Sequence, residues 1–234
     1  MQSVVDSFNE RVVEIDLFFK MLQALDKPDV QLFFPNQVPR HKYKKLDPDW
    51  LKTLKGTAFL LIYNLVESSV REGIGAIYEK ARVEKCTMGT LDIKIRKVWI
   101  NQHFKKMENS GSFNSFRDKG HELVELALTN AIASLDKELL PVSGNLDARK
   151  IREICNKHGM TFSKHRIAHM GDKLVTIKDK RNSLAHGDES FAECGRQHTV
   201  TELVEMKKQA VSYLRGVLRS IRTYIANEKY RAPV

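Results

Sequence analysis

Lys180-Arg181-Asn182-Ser183-Leu184-Ala185-His186-Gly187 closes a segment in which Met170, Leu174, Ile177 and Leu184 fall at i, i+4, i+7 and i+14. That is the spacing of one face of an α-helix. Arg181 stands at i+11 on the same line, so an arginine occupies a core position. A guanidinium keeps its charge, and burying it without a partner is costly, so Arg181 is expected to face a cleft, a subunit interface or an anionic ligand. His186 precedes Gly187, the residue type that most readily takes the left-handed turn ending a helix. The spacing therefore sets His186 at a helix C-terminus, where the dipole of the last turn favours a positively charged ring.

The same periodicity predicts helices elsewhere. Val5, Phe8, Val12, Ile15, Phe19, Leu22 and Leu25 mark a first helix over residues 3–25. Pro28, Pro35, Pro39 and Pro48 then surround Arg40-His41-Lys42-Tyr43-Lys44-Lys45. That composition resists regular structure and reads as a basic connector. A long helix over about 49–80 carries Leu51, Leu54, Ala58, Leu61, Leu65 and Ile74 on one side. Tyr63, Asn64, Glu67 and Arg71 interrupt its apolar character. Glu67 and Arg71 suit an ordinary i, i+4 ion pair; alternatively Glu67 or Asn64 crosses the bundle to orient Arg181 or His186.

Gly89 separates a further helix over roughly 90–106, and Asn109-Ser110-Gly111-Ser112 is a flexible break. Residues 115–139 suit a helix less clearly. Asn145 or Asp147 caps a short helix running to His158. The last helix, about 199–228, has Val204, Val211, Leu214, Leu218, Ile221 and Ile225 on one seam. Lys208, Arg215, Arg219 and Arg222 form a second line about a quarter turn away, suited to nucleic acid along the rim of a cleft. The stems of those cations would serve equally well simply to cover apolar surface.

The chain has 234 residues and a net charge of +10, a balance that favours a polyanionic partner such as RNA. Its hydrophobic share, 42%, is that of a folded soluble protein, and no apolar run is long enough to span a membrane. The N-terminus lacks a basic-then-apolar leader, so a cytoplasmic location is expected. Cys86, Cys155 and Cys194 are odd in number and widely spaced, which argues for free thiols. Cys155, His158, His165 and His169 cluster soft ligands, but their spacing matches no common structural zinc pattern, and no metal or other cofactor is expected. Neither a nucleophile elbow nor a phosphate-binding glycine loop is present.

An arginine, a polar residue, three more residues and a histidine in a small helical chain resemble the R-x4-6-H motif of the HEPN superfamily. The spacing occurs three times here. Arg152 to His158 and Arg96 to His103 also fit, but they place Glu153 and Lys97 after the arginine, whereas Arg181 is followed by Asn182. Tyr63-Asn64-Leu65-Val66-Glu67-Ser68, Gly144-Asn145-Leu146-Asp147-Ala148-Arg149 and Gly195-Arg196 extend the similarity to a branch found in prokaryotic defence loci.

The resemblance implies an all-α, HEPN-like four-helix core with additional N-terminal and inserted helices. It divides the chain into residues 1–48, a helix with its connector, and a helical domain at 49–234. It further implies a metal-independent endoribonuclease of toxin, abortive-infection or phage-defence type. His186 would be the acid or base, Arg181 the phosphate clamp and Asn182 the residue that holds the motif, with Asn64 and Glu67 in support. A homodimer pooling two Arg/His sets, and control by a cognate antitoxin or defence partner, belong to the same picture. The other reading is a non-catalytic HEPN module that binds nucleic acid or a protein through its basic surface. On an ideal helix Arg181 and His186 diverge by ~140°, so either the helix ends near Ala185 or two copies share the site. Toxins of this family paired with nucleotidyltransferases often carry a tyrosine two residues after the histidine. Asp188 stands there instead, so control through that tyrosine is not expected.

Overall fold

The computed structural model describes residues 1–35, 42–108, 112–142, 144–161 and 171–233. Among these are eight α-helices: α1 (Gln2–Leu25), α2 (Pro48–Val83), α3 (Ile93–Glu108), α4 (Phe113–Leu128), α5 (Ala148–Lys157), α6 (Lys173–His186), α7 (Phe191–Arg196) and α8 (Val200–Ala226). The expected all-α class is the observed one. A single 3-10 turn, Lys137–Leu139, lies between α4 and α5.

The molecule is built around α2. Asp47 starts it by accepting a hydrogen bond from the Asp49 N–H, with Pro48 fixing the first turn. Over its 36 residues it buries Phe59, Ile62, Tyr63, Leu65, Val66, Val70, Ile74, Ile77 and Tyr78. These point in several directions around the helix, so α2 must be covered on more than one side. It is, by α1, α6, α7 and α8.

α1 lays Phe8, Val12, Ile15, Phe19 and Leu22 against α2 and α8. These residues belong to the same buried cluster as the rest of the core. Lys207 of α8 fastens α1 by an ion pair with Asp16 (2.6 Å) and by standing 5.0 Å from the Phe19 ring centre. α8 begins with a capping box between Thr199 and Glu202. Its seam residues Val211, Leu214, Leu218 and Ile221 are buried, as the periodicity requires.

α7 packs unusually close to α2. A Cβ on Gly195 would lie 1.8 Å from the Lys52 carbonyl oxygen, and one on Gly56 would lie 2.4 Å from that of Phe191. Two glycines thus let two helix backbones touch.

The connector departs from expectation. Gln31–Phe34 (β1) and Lys42–Lys45 (β2) form an antiparallel hairpin in which Phe33 faces Tyr43, their rings 5.1 Å apart. Pro28, Pro35 and Pro48 fall outside the paired residues, so none of them removes a ladder donor. Residues 36–41, with Arg40 and His41 of the basic run, lie outside the described residues, as do Asn109, Ser110 and Gly111 of the expected break, and Met170.

His158 ends α5 inside the core, 3% exposed. Its Nδ1 lies 2.7 Å from the Ile154 carbonyl oxygen, which can only accept, so Nδ1 carries the proton and Nε2 accepts from the Tyr78 hydroxyl at 2.7 Å. Burial pushes the imidazole below its ordinary value of 6.5. Protons therefore bind the unfolded chain first. The contribution of this neutral ring is complete above about pH 6.5 and is lost as pH falls below it. Urea midpoints measured at pH 7.5 and 5.5 are expected to drop with acid, and the drop should shrink in His158→Asn, which cannot titrate there.

Candidate active site

α6 packs on α2 and α8 through Leu174, Ile177 and Leu184, and Arg181 shares their line. The side chain is 24% exposed and well supported. Its guanidinium lies over the Tyr63 ring, 4.6 Å from the centroid, in cation–π geometry. One terminal nitrogen stands 3.8 Å from Glu67 Oε2, and the other donates to Asn182 Oδ1 at 3.0 Å. The loop before α5 closes the far side. Gly144 takes φ +73°, and a Cβ there would come within 3.3 Å of the guanidinium. The Tyr63 hydroxyl accepts the Leu146 N–H at 3.0 Å, which pins that loop to α2. Burial pushes the Tyr63 hydroxyl above its ordinary range, so the phenol stays neutral under the cation.

Three separated stretches, around Tyr63, Gly144 and Arg181, thus converge on one guanidinium. Gly195-Arg196 serves a different end, the contact of α7 with α2.

Glu67 does cross from α2 to α6, as one of the two expectations had it. Asn64 is exposed and has none of these contacts. Glu67 also pairs with Arg71 (3.0 Å), so one carboxylate serves two arginines, and Arg71 reaches on toward Glu138 at 3.9 Å. Arg71 Nε is buried without a partner among the described residues. The ordinary ion pair and the bridge to Arg181 therefore coexist. Arg71 was legible only as a helix partner, because its nearness to Arg181 depends on how α6 crosses α2. Glu67→Ala leaves two half-buried cations without their shared anion. It is expected to cost about 1–2 kcal/mol, a fall of about 2–8 °C in Tm by calorimetry.

His186 is the last residue of α6, and Gly187 caps it at φ +76° with its N–H on the Ser183 carbonyl. The helix ends one residue past Ala185, so the turn at Gly187 follows His186 directly. His186 is exposed. Asn182 precedes it by one helical turn and so shares its outward face, while its amide oxygen holds Arg181. Asn182 is the link between the inward arginine and the outward histidine. Lys180 braces the following turn through Glu189 (3.1 Å) and Gln197 (2.6 Å).

The two other Arg/His spacings are occupied otherwise. His158 is buried and neutral. Arg96 donates to the carbonyls of Gly89 and Leu91, while His103 packs on Trp99, ring centres 4.4 Å apart. Among the candidate zinc ligands, His158 has both ring nitrogens engaged, and burial raises the Cys155 thiol to about 12. His165 and His169 lie outside the described residues.

Lys208, Arg215, Arg219 and Arg222 are all exposed. None forms an ion pair among the described residues. The line is not beside Arg181. Tyr213 reaches the Ala148 carbonyl of α5 (3.2 Å) and the start of α6 from one flank of α8, whereas the basic line runs on the flank toward α1. A groove of about 690 Å³ lies between the start of α1, α2 and the 3-10 turn, lined by Glu72, Gly75, Tyr78 and Lys137. Neither Arg181 nor His186 borders it.

Arg181 is held inward and His186 stands outward, five residues apart on one helix, the spacing of the R-x4-6-H motif. A family model described as HEPN_MAE_28990-like HEPN matches residues 1–230, and the chain belongs to this HEPN family. No curated protein and no solved structure matches it. Membership carries a nucleic-acid-related function, commonly that of a ribonuclease. Among the described residues no helix is long and apolar enough to cross a membrane.

Proposed function

We propose that the chain is a metal-independent endoribonuclease of the toxin, abortive-infection or phage-defence kind, with Arg181 and His186 as its catalytic pair. The observation that carries the reading is the support of Arg181. A guanidinium is held at a partly buried surface by Tyr63, Glu67, Asn182 and the Gly144 loop, and the same Asn182 shares the face of an unengaged histidine.

RNA brings its own nucleophile. The 2′-oxygen attacks phosphorus and the bond to the 5′-oxygen breaks, which leaves a 2′,3′-cyclic phosphate and a 5′-hydroxyl. An imidazole accepts the 2′-hydroxyl proton and a second donates one to the departing oxygen. Arg181 draws the negative charge that builds on the phosphoryl oxygens. Because His186 points about 140° from Arg181 on an unbroken helix, a homodimer supplies both rings and both guanidiniums to one cleft. A toxic nuclease of this sort requires restraint, so a cognate antitoxin or defence partner belongs to the proposal.

The exposed basic line on α8, whose cations form no ion pair among the described residues, favours a second reading, a HEPN module that binds nucleic acid or an acidic protein without cutting. Offering one sequence as RNA and as DNA separates the two. A nuclease of this mechanism cuts the RNA and leaves the deoxy strand whole, whereas a binding module holds both and cuts neither.

A further inference from the structure

The hairpin before α2 turns to solvent a face that the bundle does not use. In its register Gln31 stands opposite Lys45 and Phe33 opposite Tyr43, so these four side chains share one side of the two strands. All four are exposed. Leu32, on the other side, is partly covered. A strand with one wet face ordinarily keeps its apolar residues on the covered side. Here the open side carries two rings. Phe33 is 49% exposed and Tyr43 68%, with ring centres 5.1 Å apart and planes tilted by 34°. A cross-strand aromatic pair steadies a hairpin, but that one contact leaves most of the Tyr43 ring in water. Lys45 flanks Tyr43 on the same side, and Lys44 is exposed on the other. Neither lysine forms an ion pair among the described residues. Trp50, 54% exposed, adds a third open ring on the first turn of α2.

The position of this face matters as much as its composition. The Leu46 N–H donates to the Val30 carbonyl at 3.3 Å, and the next residue, Asp47, is the cap of α2, so the base of the hairpin is fixed to that helix. Along α2, Lys52 and Gly56 touch α7, while Tyr63 and Glu67 hold Arg181. α6 runs the opposite way, from Arg181 to His186, and α7 begins after the four residues 187–190. His186 and the hairpin therefore lie at the same end of the bundle. Lys52, under α7, is only four residues from Pro48, about 6 Å along the helix.

We infer that the Phe33–Tyr43 face is a binding site for single-stranded RNA, in which an unpaired base stacks on Tyr43 while Lys44 and Lys45 hold neighbouring phosphates. Open aromatic rings beside cations that follow the backbone are the two parts of a single-strand site. Every base has a π-face, so such stacking tolerates any sequence. A duplex keeps those faces in its own stack and offers the hairpin only phosphates. The site thus selects unpaired strands. This deepens the reading of RNA as the substrate and rests on it, but it requires binding alone and not cleavage.

Fluorescence anisotropy on the full chain tests it, in a His186→Ala background so that labelled RNA stays whole. The probes are a single-stranded RNA without self-complementarity and the same strand annealed to its complement. Tyr43→Val keeps a β-branched residue in the strand and removes the ring. It is expected to weaken single-strand binding about tenfold and to leave duplex binding within about twofold, while Tyr43→Phe and Tyr43→Trp bind as the parent does. Lys44→Gln with Lys45→Gln should weaken both probes and flatten the dependence of Kd on salt. Unchanged single-strand affinity in Tyr43→Val would overturn the inference, as would equal losses on the two probes. Cleavage is scored separately in the wild-type chain. A protein that cuts nothing yet shows ring-dependent single-strand binding would sink the nuclease reading and leave this site standing.

Discussion

Gly195→Ala is expected to destabilise the protein by more than about 3 kcal/mol, or to leave it unfolded at 37 °C. A methyl at that position would sit 1.8 Å from the Lys52 carbonyl oxygen, 2.8 Å from its carbon and 3.0 Å from the Gly56 nitrogen. All three are backbone atoms of α2, so no side-chain rotation relieves the clash and α7 must lift away. Lifting it would loosen the packing of Cys194 and Phe191, and of the Phe59–His198 ring contact at 5.0 Å. Overpacking a tight core contact typically costs about 1–3 kcal/mol, and a clash of backbone on backbone stands at the upper end or beyond it. Against a total stability of roughly 5–15 kcal/mol that is a large fraction. Gly187→Ala provides the contrast. Gly187 has φ +76° but nothing within 4 Å of a Cβ, so alanine there meets only the local cost of the left-handed conformation, about 1 kcal/mol. Calorimetry should therefore show a drop in Tm of more than about 6 °C, or no transition, for Gly195→Ala, and about 2–4 °C for Gly187→Ala.

His186→Ala is expected to reduce RNA cleavage by on the order of 10³-fold while leaving the Tm unchanged within error. The ring is exposed at the end of α6 and takes part in no hydrogen bond or ion pair among the described residues, so its removal leaves no cavity and no unpaired group. Arg181→Ala should lower cleavage as strongly and stability as well, since the Tyr63 stacking, the Glu67 pair and the Asn182 hydrogen bond go with it. Arg181→Lys retains the charge without the planar fork. It should recover part of the stability but little of the rate, because a single ammonium cannot stack on Tyr63 and present two donors at once. Single-turnover cleavage beside thermal melts separates these three outcomes. Equal losses of rate and stability in all three would mark the pair as a structural brace.

Helical periodicity alone placed α1, α2, α5, α6 and α8, because each buries a continuous seam and a seam repeats in sequence. α4 read poorly since none of its residues is fully buried and only Leu123 and Leu126 pack against the core, too few to mark a seam. α7 escaped notice for the opposite reason. It is only six residues long, too short for a period, and the contact that fixes it is made by glycines. The hairpin was obscured by prolines that border its strands without entering them.

At the site, Arg181 announced itself as a charge in an apolar line, and Glu67 as an acid breaking the seam of α2. The role of Tyr63 as a platform and the sharing of Glu67 with Arg71 arise from the crossing of α2 and α6, which no local pattern encodes. The α8 cations were visible as a line, but which flank they occupy follows from the packing of Tyr213 and Lys207.

The most direct test is incubation of purified protein with RNA in excess EDTA, beside His186→Ala, followed by chemical analysis of the fragment ends. The account predicts fragments ending in 2′,3′-cyclic phosphate and 5′-hydroxyl from the wild type, and their loss in the variant. Fragments with 5′-phosphate ends, or equal cleavage by both proteins, would contradict it.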